Sequence, residues 1–445
     1  MEITNERKEE LLNKFLLHYD MPKREDLDEV NFEELEYLIR SAQVFHDKKE
    51  IPADNLLEKR DRYTELLMSR LWQLEGIFVA GDPHTQYPHI MGDGSVMIFS
   101  TEEMANKAAE HYEEQGLGLE IQFVPKDGMR HFFMDCYWWG MELLVLDMGI
   151  YSVHINRTKL MPPPDERKIP KVARPVRNPA FMAACIQHRQ LLFLENKDEK
   201  WTRSERIMCD RMLRELVKGK FLCPVKITTA DGKPVDHNSV MTLKEGATMR
   251  FAMLGDNEKR PWFPAFTDWD AFFNMYQRDE WNAQILSYED LVTVSKDNGI
   301  IINPGSLETR IDENRKKVLA GYVEREKRLQ KEKEGGMLRD CGNGISIGAS
   351  VESTSELEQI LADYLKTQKD VKRAFLSMKV TQNMDVCYLL VLDMKEEEKS
   401  VLEGIAKAVQ GKLGALRLEI RKADEGALQW MEGITPFYKK GLFGL

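Results

Sequence analysis

No apolar run in this 445-residue sequence approaches the roughly 18–20 residues that a membrane-crossing helix needs. The longest apolar stretches, Leu143–Leu146 and Cys387–Leu392, have the length of strands. Met1 to Glu10 is polar and charged, with no basic stretch ahead of an apolar core, so no secretory signal is read there. Cysteine is scarce. The six thiols (Cys136, Cys185, Cys209, Cys223, Cys341 and Cys387) are scattered, and no two stand at CxxC spacing. They read as reduced and mostly buried, which sets the expectation of a cytoplasmic protein with no membrane contact. Positive charge is in deficit, with 63 Lys and Arg against 74 Asp and Glu and a net charge of −11. That balance argues against nucleic acid as a partner, because phosphate neutralisation needs a basic surface. GxxxxGK[ST] and HExxH are both missing.

What is present is enough for a folded, multidomain chain: 42% of residues are hydrophobic and 31% charged. Residues 1–71 read as a helical N-terminal segment. Leu11, Leu12, Phe15 and Leu16 form one stripe, Asn31 can cap a second helix through Leu35, Leu38 and Ile39, and Leu56, Tyr63, Leu67 and Leu71 mark a third. Residues 72–165 are β-rich, with strands expected at Ile77–Val79, Ser95–Phe99, Glu120–Val124, Glu142–Leu146 and Ile150–Ile155. One helix interrupts them, with Ser100 as cap and Glu103 at capping-box spacing. Residues 166–220 combine a proline-rich linker (Pro170, Pro175, Pro179) with helices at Phe181–Glu195 and Ser204–Val217. A second β-rich block occupies 221–313. A charged helix ended by Gly335-Gly336 and a glycine-rich linker, Gly342 to Gly348, fill 314–349. In 350–445 the order is helix (Ser355–Lys366), strand (Ala374–Val380), strand (Asp385–Leu392), helix (Lys395–Leu413), strand (Leu416–Arg421), helix (Glu425–Met431). The predicted class is α+β.

The two middle blocks resemble one another. Ser95–Phe99 followed by Ser100-Thr101 answers Trp262–Phe266 followed by Thr267-Asp268, each a β-run ending in Phe before a capped helix. Leu143–Leu146, Gly149 and Ile150 then match Leu291–Val294, Gly299 and Ile300, as strand, turn and strand. The spacing is longer in the first block, which predicts an insertion carrying Glu120–Val124.

The segments Trp262-Phe263-Pro264-Ala265-Phe266-Thr267, Leu291-Val292 and Gly299-Ile300-Ile301-Ile302-Asn303-Pro304-Gly305-Ser306 resemble the N-terminal domain of the SseB family. Gly433-Ile434-Thr435-Pro436-Phe437-Tyr438 is similar to the end of that family's C-terminal domain. The resemblance covers 221–313 and 350–445, with 72–165 as a divergent copy of the N-terminal domain. It implies an α+β, bacterial, cytoplasmic protein and no established reaction. The family takes its name from an enhanced-serine-sensitivity phenotype.

The chemistry-bearing residues also have plainer roles open to them. His84, His89, His111, His131 and His154 gather in the first block, and with Asp82 or Asp135 could offer metal ligands. The metal candidates are His84, His89, His131 and Asp135, but no metal and no cofactor is expected. Cys136 beside Tyr137, Trp138 and Trp139 reads as a buried thiol rather than a nucleophile. The expected role is non-catalytic: a protein-binding or adaptor module with an unidentified protein partner. Its candidate surface is Phe266, Thr267 and Trp269, the loop Asn303, Pro304 and Ser306, and the tail Thr435, Pro436, Phe437 and Tyr438. The alternatives are a metal-dependent hydrolase with a His/Asp site in residues 82–154, and an amino-acid sensor.

Overall fold

A computed structural model describes residues 3–18, 20–48, 55–169, 174–194, 199–229, 248–258, 260–277, 279–335, 338–342, 344–350, 353–381, 386–394, 399–413 and 416–440. Pro170 of the expected linker, the expected helix end Glu195, Gly336, Asn343, and the expected element starts Asp385 and Lys395 lie outside the described residues. The chain divides into two compact units, Met1–Glu313 and Asn314–Leu445.

The first unit opens with helices α1 (Asn5–Leu11), which runs on into a π-helical turn, α2 (Arg24–Asp28), α3 (Phe32–Lys48) and α4 (Leu56–Leu71). Asn31 starts α3 through a reciprocal pair: its side chain accepts the Glu34 N–H at 2.9 Å, and the Glu34 carboxylate accepts the Asn31 N–H at 2.9 Å. Leu35, Leu38, Ile39 and Ala42 form the buried stripe of α3, which packs on α4. Then come β1 (Gly76–Gly81), β2 (Ser95–Phe99), α5 (Glu102–Glu113), β3 (Glu120–Pro125), α6 (Lys126–Trp138), β4 (Leu143–Leu146), β5 (Val153–Asn156) and the short α7 (Arg157–Leu160). The sheet runs β3-β1-β2-β4-β5. Only β2 and β4 are parallel.

The second half of this unit holds α8 (Pro179–Leu192), α9 (Glu199–Lys218), β6 (Lys220–Thr228), β7 (Thr248–Phe251), β8 (Leu254–Gly255), β9 (Pro261–Ala265), α10 (Trp269–Phe273), β10 (Asn282–Ser287), α11 (Tyr288–Ser295), β11 (Gly299–Ile302) and β12 (Thr309–Ile311). Its sheets, β10-β6-β7 and β12-β11-β9-β8, meet where Leu222 and Phe266 exchange two backbone hydrogen bonds of 2.9 Å. Through that bridge the order is β10-β6-β9-β11-β12 with β9 and β11 parallel, the order of the first half. The registers correspond as well. Gly76–Pro125 through Gly81–Glu120 pair β1 with β3, and Lys220–Ser287 through Val225–Asn282 pair β6 with β10.

Several expectations need correction. The cap of α5 is Thr101, whose hydroxyl accepts the Met104 N–H; Ser100 turns its hydroxyl to Asp147 instead. Glu120–Val124 is not an insertion, because it holds the position that Asn282–Ser287 holds in the other half. The extra length lies in α5 and α6, of 12 and 13 residues, against 5 and 8 in α10 and α11. Leu291–Val294 is helix, not strand. Ser287 and Asp290 form a capping box, and Leu291 and Ser295 bury one helical face, which overrides the β preference of Val292, Thr293 and Val294. In the first half the β4–β5 hairpin forms, but its strand starts at Val153 because Asp147, Gly149 and Ser152 take positive φ in the turn. Helix α6 was not foreseen. Met129, Phe133 and Cys136 are its buried stripe.

Gly140, just past α6, has φ +74°, and a Cβ there would stand 2.3 Å from the Pro179 carbonyl oxygen at the start of α8. Glycine thus lets the first half's α6 close on the second half's first helix.

Helix α12 (Glu313–Gly335) leads into the second unit: β13 (Arg339–Asp340), β14 (Ile345–Gly348), α13 (Ser355–Leu365), β15 (Val371–Thr381), β16 (Val386–Met394), α14 (Lys399–Ala408), β17 (Arg417–Lys422), α15 (Glu425–Trp430) and β18 (Tyr438–Lys439). The sheet is β13-β14-β15-β16-β17, and β18 pairs with β15. Alternate residues serve its two faces. Ala374, Leu376, Leu390 and Leu392 join Leu361 of α13 and Ile405 of α14, whereas Phe375, Leu389 and Val391 join Ala427 of α15. Double-sided burial explains the unbroken apolar run at Cys387–Leu392. The architecture is α+β, with several small sheets.

Candidate binding site

The two parallel strand pairs of the first unit, β2–β4 and β9–β11, end in the same polar clasp. Asp147 follows β4 and Asn303 follows β11, each at φ +49°, a left-handed conformation that Asp and Asn tolerate better than most residues. The Asp147 N–H bonds to the Ile98 carbonyl and the Asn303 N–H to the Ala265 carbonyl, both at 2.9 Å. In the first half the Asp147 carboxylate accepts from the Ser100 N–H at 2.8 Å and hydroxyl at 2.7 Å. In the second, the Asn303 amide oxygen accepts the Thr267 N–H at 3.0 Å, and its NH2 donates to the Thr267 hydroxyl at 2.8 Å. That hydroxyl donates to Asp268, 2.7 Å away, and Asp268 in turn caps α10 by accepting the Ala271 N–H at 2.9 Å. The two clasps differ in charge. Glu36 of α3 is fully buried and faces Asp147, and burial first, then the Asp147 charge, pushes its carboxyl up to about 11.

A seam between the halves brings further groups to the second clasp. Gln187 and Gln190 of α8 are buried in the seam, against the segment between β1 and β2. Gln190 donates to the Pro88 carbonyl at 3.0 Å and accepts the Ile90 N–H at 3.0 Å, and Gln187 donates to the Met91 carbonyl at 2.6 Å. Arg177 lies 4.4 Å over the Trp138 ring and pairs with Asp268 at 3.6 Å and Asp270 at 3.0 Å. Tyr87 packs edge-on to Trp139 at 5.1 Å, and burial first of all raises its phenol above the ordinary value. Asp135 titrates above the ordinary carboxylate value, chiefly through burial. The seam is a paired, aromatic, polar surface. Burial raises its Cys136 and Cys185 thiols and keeps them protonated.

The candidate surface residues divide by burial. Phe266, Thr267, Asn303 and Pro304 are buried, so they build the clasp and core and cannot greet a partner. Phe266 meets Phe272 and Tyr276 edge-on at 5.5 and 5.7 Å. Trp269 is half-buried and Ser306 exposed. In the second unit Tyr438 is buried, its hydroxyl donating to the Leu365 carbonyl at 3.2 Å, and Phe437 leans on the same core. Pro436 is half-buried and Thr435 exposed. The metal candidates do not assemble. His84 stacks on Phe193 at 4.4 Å, and His89 is buried, which lowers it to about 4. Exposed His131 lies 3.4 Å from Asp135, one turn along α6.

The sequence pointed to Trp269 but not to the ledge it joins, nor to a cavity in the first half. On α10, Trp269 stacks on Phe273 at 5.2 Å, and Phe273 and Met275 are 37% and 43% exposed beside the Gly305–Ser306 loop. In the first half, a cavity of about 560 Å³ is lined by Lys8 and Arg40, by Ser41, and by Tyr37, Phe45, Ile150 and other residues. Its lining comes from α1, α3 and the β4–β5 turn, so no local motif could announce it.

The chain belongs to the SseB family. Residues 175–313 match the SseB protein N-terminal domain and residues 340–440 the SseB protein C-terminal domain. The first match opens ahead of α8, so the helix pair α8–α9 lies within it. No curated protein and no solved structure matches the chain.

Proposed function

We propose that this SseB-family chain is a cytoplasmic, bacterial, non-catalytic adaptor that binds a protein partner on the α10 ledge, and that its first half is a divergent copy of the N-terminal domain. One observation carries the docking reading: half-buried Trp269 with exposed Phe273 and Met275 forms an aromatic and thioether ledge beside the Gly305–Ser306 loop. Rigid aromatics and adaptable methionine are the side chains that anchor protein partners. The shared strand order, matching registers and twin clasps support the duplication. Six reduced thiols support the compartment.

A photo-crosslinking residue placed at Met275 in the full chain should give one discrete protein adduct in cells. Trp269→Ala with Phe273→Ser should abolish it, and a probe at exposed Phe123 should not reproduce it. An adduct unaffected by the double substitution would overturn the reading.

The cavity between Lys8 and Arg40 favours a second reading, an amino-acid sensor. Its volume falls in the range of small-molecule sites, and the two cations in its lining, Lys8 and Arg40, suit a carboxylate ligand. A thermal-shift screen of amino acids, serine included, should show stabilisation that Arg40→Ala removes.

A further inference from the structure

We propose that His188, Glu205 and Cys209 bind one thiophilic divalent transition-metal ion of the zinc class, stapling α8 to α9. Glu205 and Cys209 stand four residues apart on α9, so they share one helical face, and His188 projects to them from α8. The His188 Nε2 lies 3.0 Å from a Glu205 carboxylate oxygen. One donor atom from each of the three residues lies within 4.8 Å of the others, and all three side chains are partly buried. Zinc bonds of roughly 2.0–2.3 Å set tetrahedral donors about 3.3–3.8 Å apart. Small rotamer adjustments on two packed helices close that gap.

The donor set names the metal. Imidazole nitrogen and thiolate sulfur select against magnesium and calcium, and with one carboxylate they match the ligands of tetrahedral zinc. Three protein ligands leave a fourth position for water. Cys185, on the same α8, is differently placed: its sulfur is buried against the Thr309 hydroxyl at 3.7 Å. The α8 helix also carries Gln187 and Gln190 into the seam, so a metal that fixes α8 against α9 also steadies the seam. No residue of this site belongs to the α10 ledge, so the two readings stand or fall separately.

The test is cobalt(II) titration of the full-length protein, reduced and freed of metal. The expected result is one equivalent of Co²⁺ with a sulfur-to-cobalt charge-transfer band in the near ultraviolet, displaced by Zn²⁺. Cys209→Ser should remove the band, and His188→Gln should weaken binding at least about tenfold. Cys341→Ser should change neither. Circular dichroism of each variant without metal separates lost ligation from lost folding, and the Zn²⁺-induced rise in melting temperature should vanish in Cys209→Ser. No bound cobalt, a bound ion without the band, or a band that survives Cys209→Ser would overturn the proposal.

Discussion

Glu36 and His89 are buried groups with opposite pH signatures. Glu36 holds its proton in the folded chain up to about pH 11 but releases it near 4.5 when unfolded. The unfolded state therefore binds fewer protons between those values, and stability falls as pH rises through that window, by up to about 1.4 kcal/mol per pH unit. His89 works the other way. Its folded value of about 4 lies below its ordinary 6.5, so its contribution is present above 6.5 and is lost as pH falls toward 4. Glu36→Gln should raise the melting temperature at pH 8 and flatten its decline with pH, while leaving the acid-side loss from His89; scanning calorimetry from pH 5 to 8 reads both. At the other clasp, Asn303→Ala removes the acceptor of the buried Thr267 N–H and puts alanine at positive φ. It should cost about 1–3 kcal/mol in urea unfolding.

Among elements, the capping box of α11 gives the next test. Ser287→Ala should cost about 1 kcal/mol by freeing the Asp290 N–H, with β11 still paired to β9. That helix also shows where reading from sequence fails. Leu291–Val294 is rich in β-branched residues, and its helical face emerges only once Leu291 and Ser295 meet a core. Helix α6 hid for a related reason: Phe132, Tyr137 and Trp138 crowd the stripe of Met129, Phe133 and Cys136 and blur its period. Ser95–Phe99 was legible to the residue because a short unbroken apolar run, buried throughout, ends at a hydroxyl pair that starts the next helix. The clasps were half legible. Thr267 and Asn303 stood out in the sequence, but as a surface, since their separation along the chain conceals that they bond each other. His188 and Glu205 stand 17 residues apart on two different helices, and the hairpin that joins them is a tertiary fact.

At the scale of the whole chain, the division after Glu313 predicts that residues 314–445 fold alone, because both apolar faces of their sheet are covered by their own helices α13, α14 and α15. That fragment should unfold in one cooperative urea transition. Within the first unit, the close approach at Gly140 has a consequence for how the protein could diversify. Any side chain at that position would meet the Pro179 carbonyl and strain a left-handed backbone, so the spacing between α6 and α8 hangs on one residue that has no room to vary.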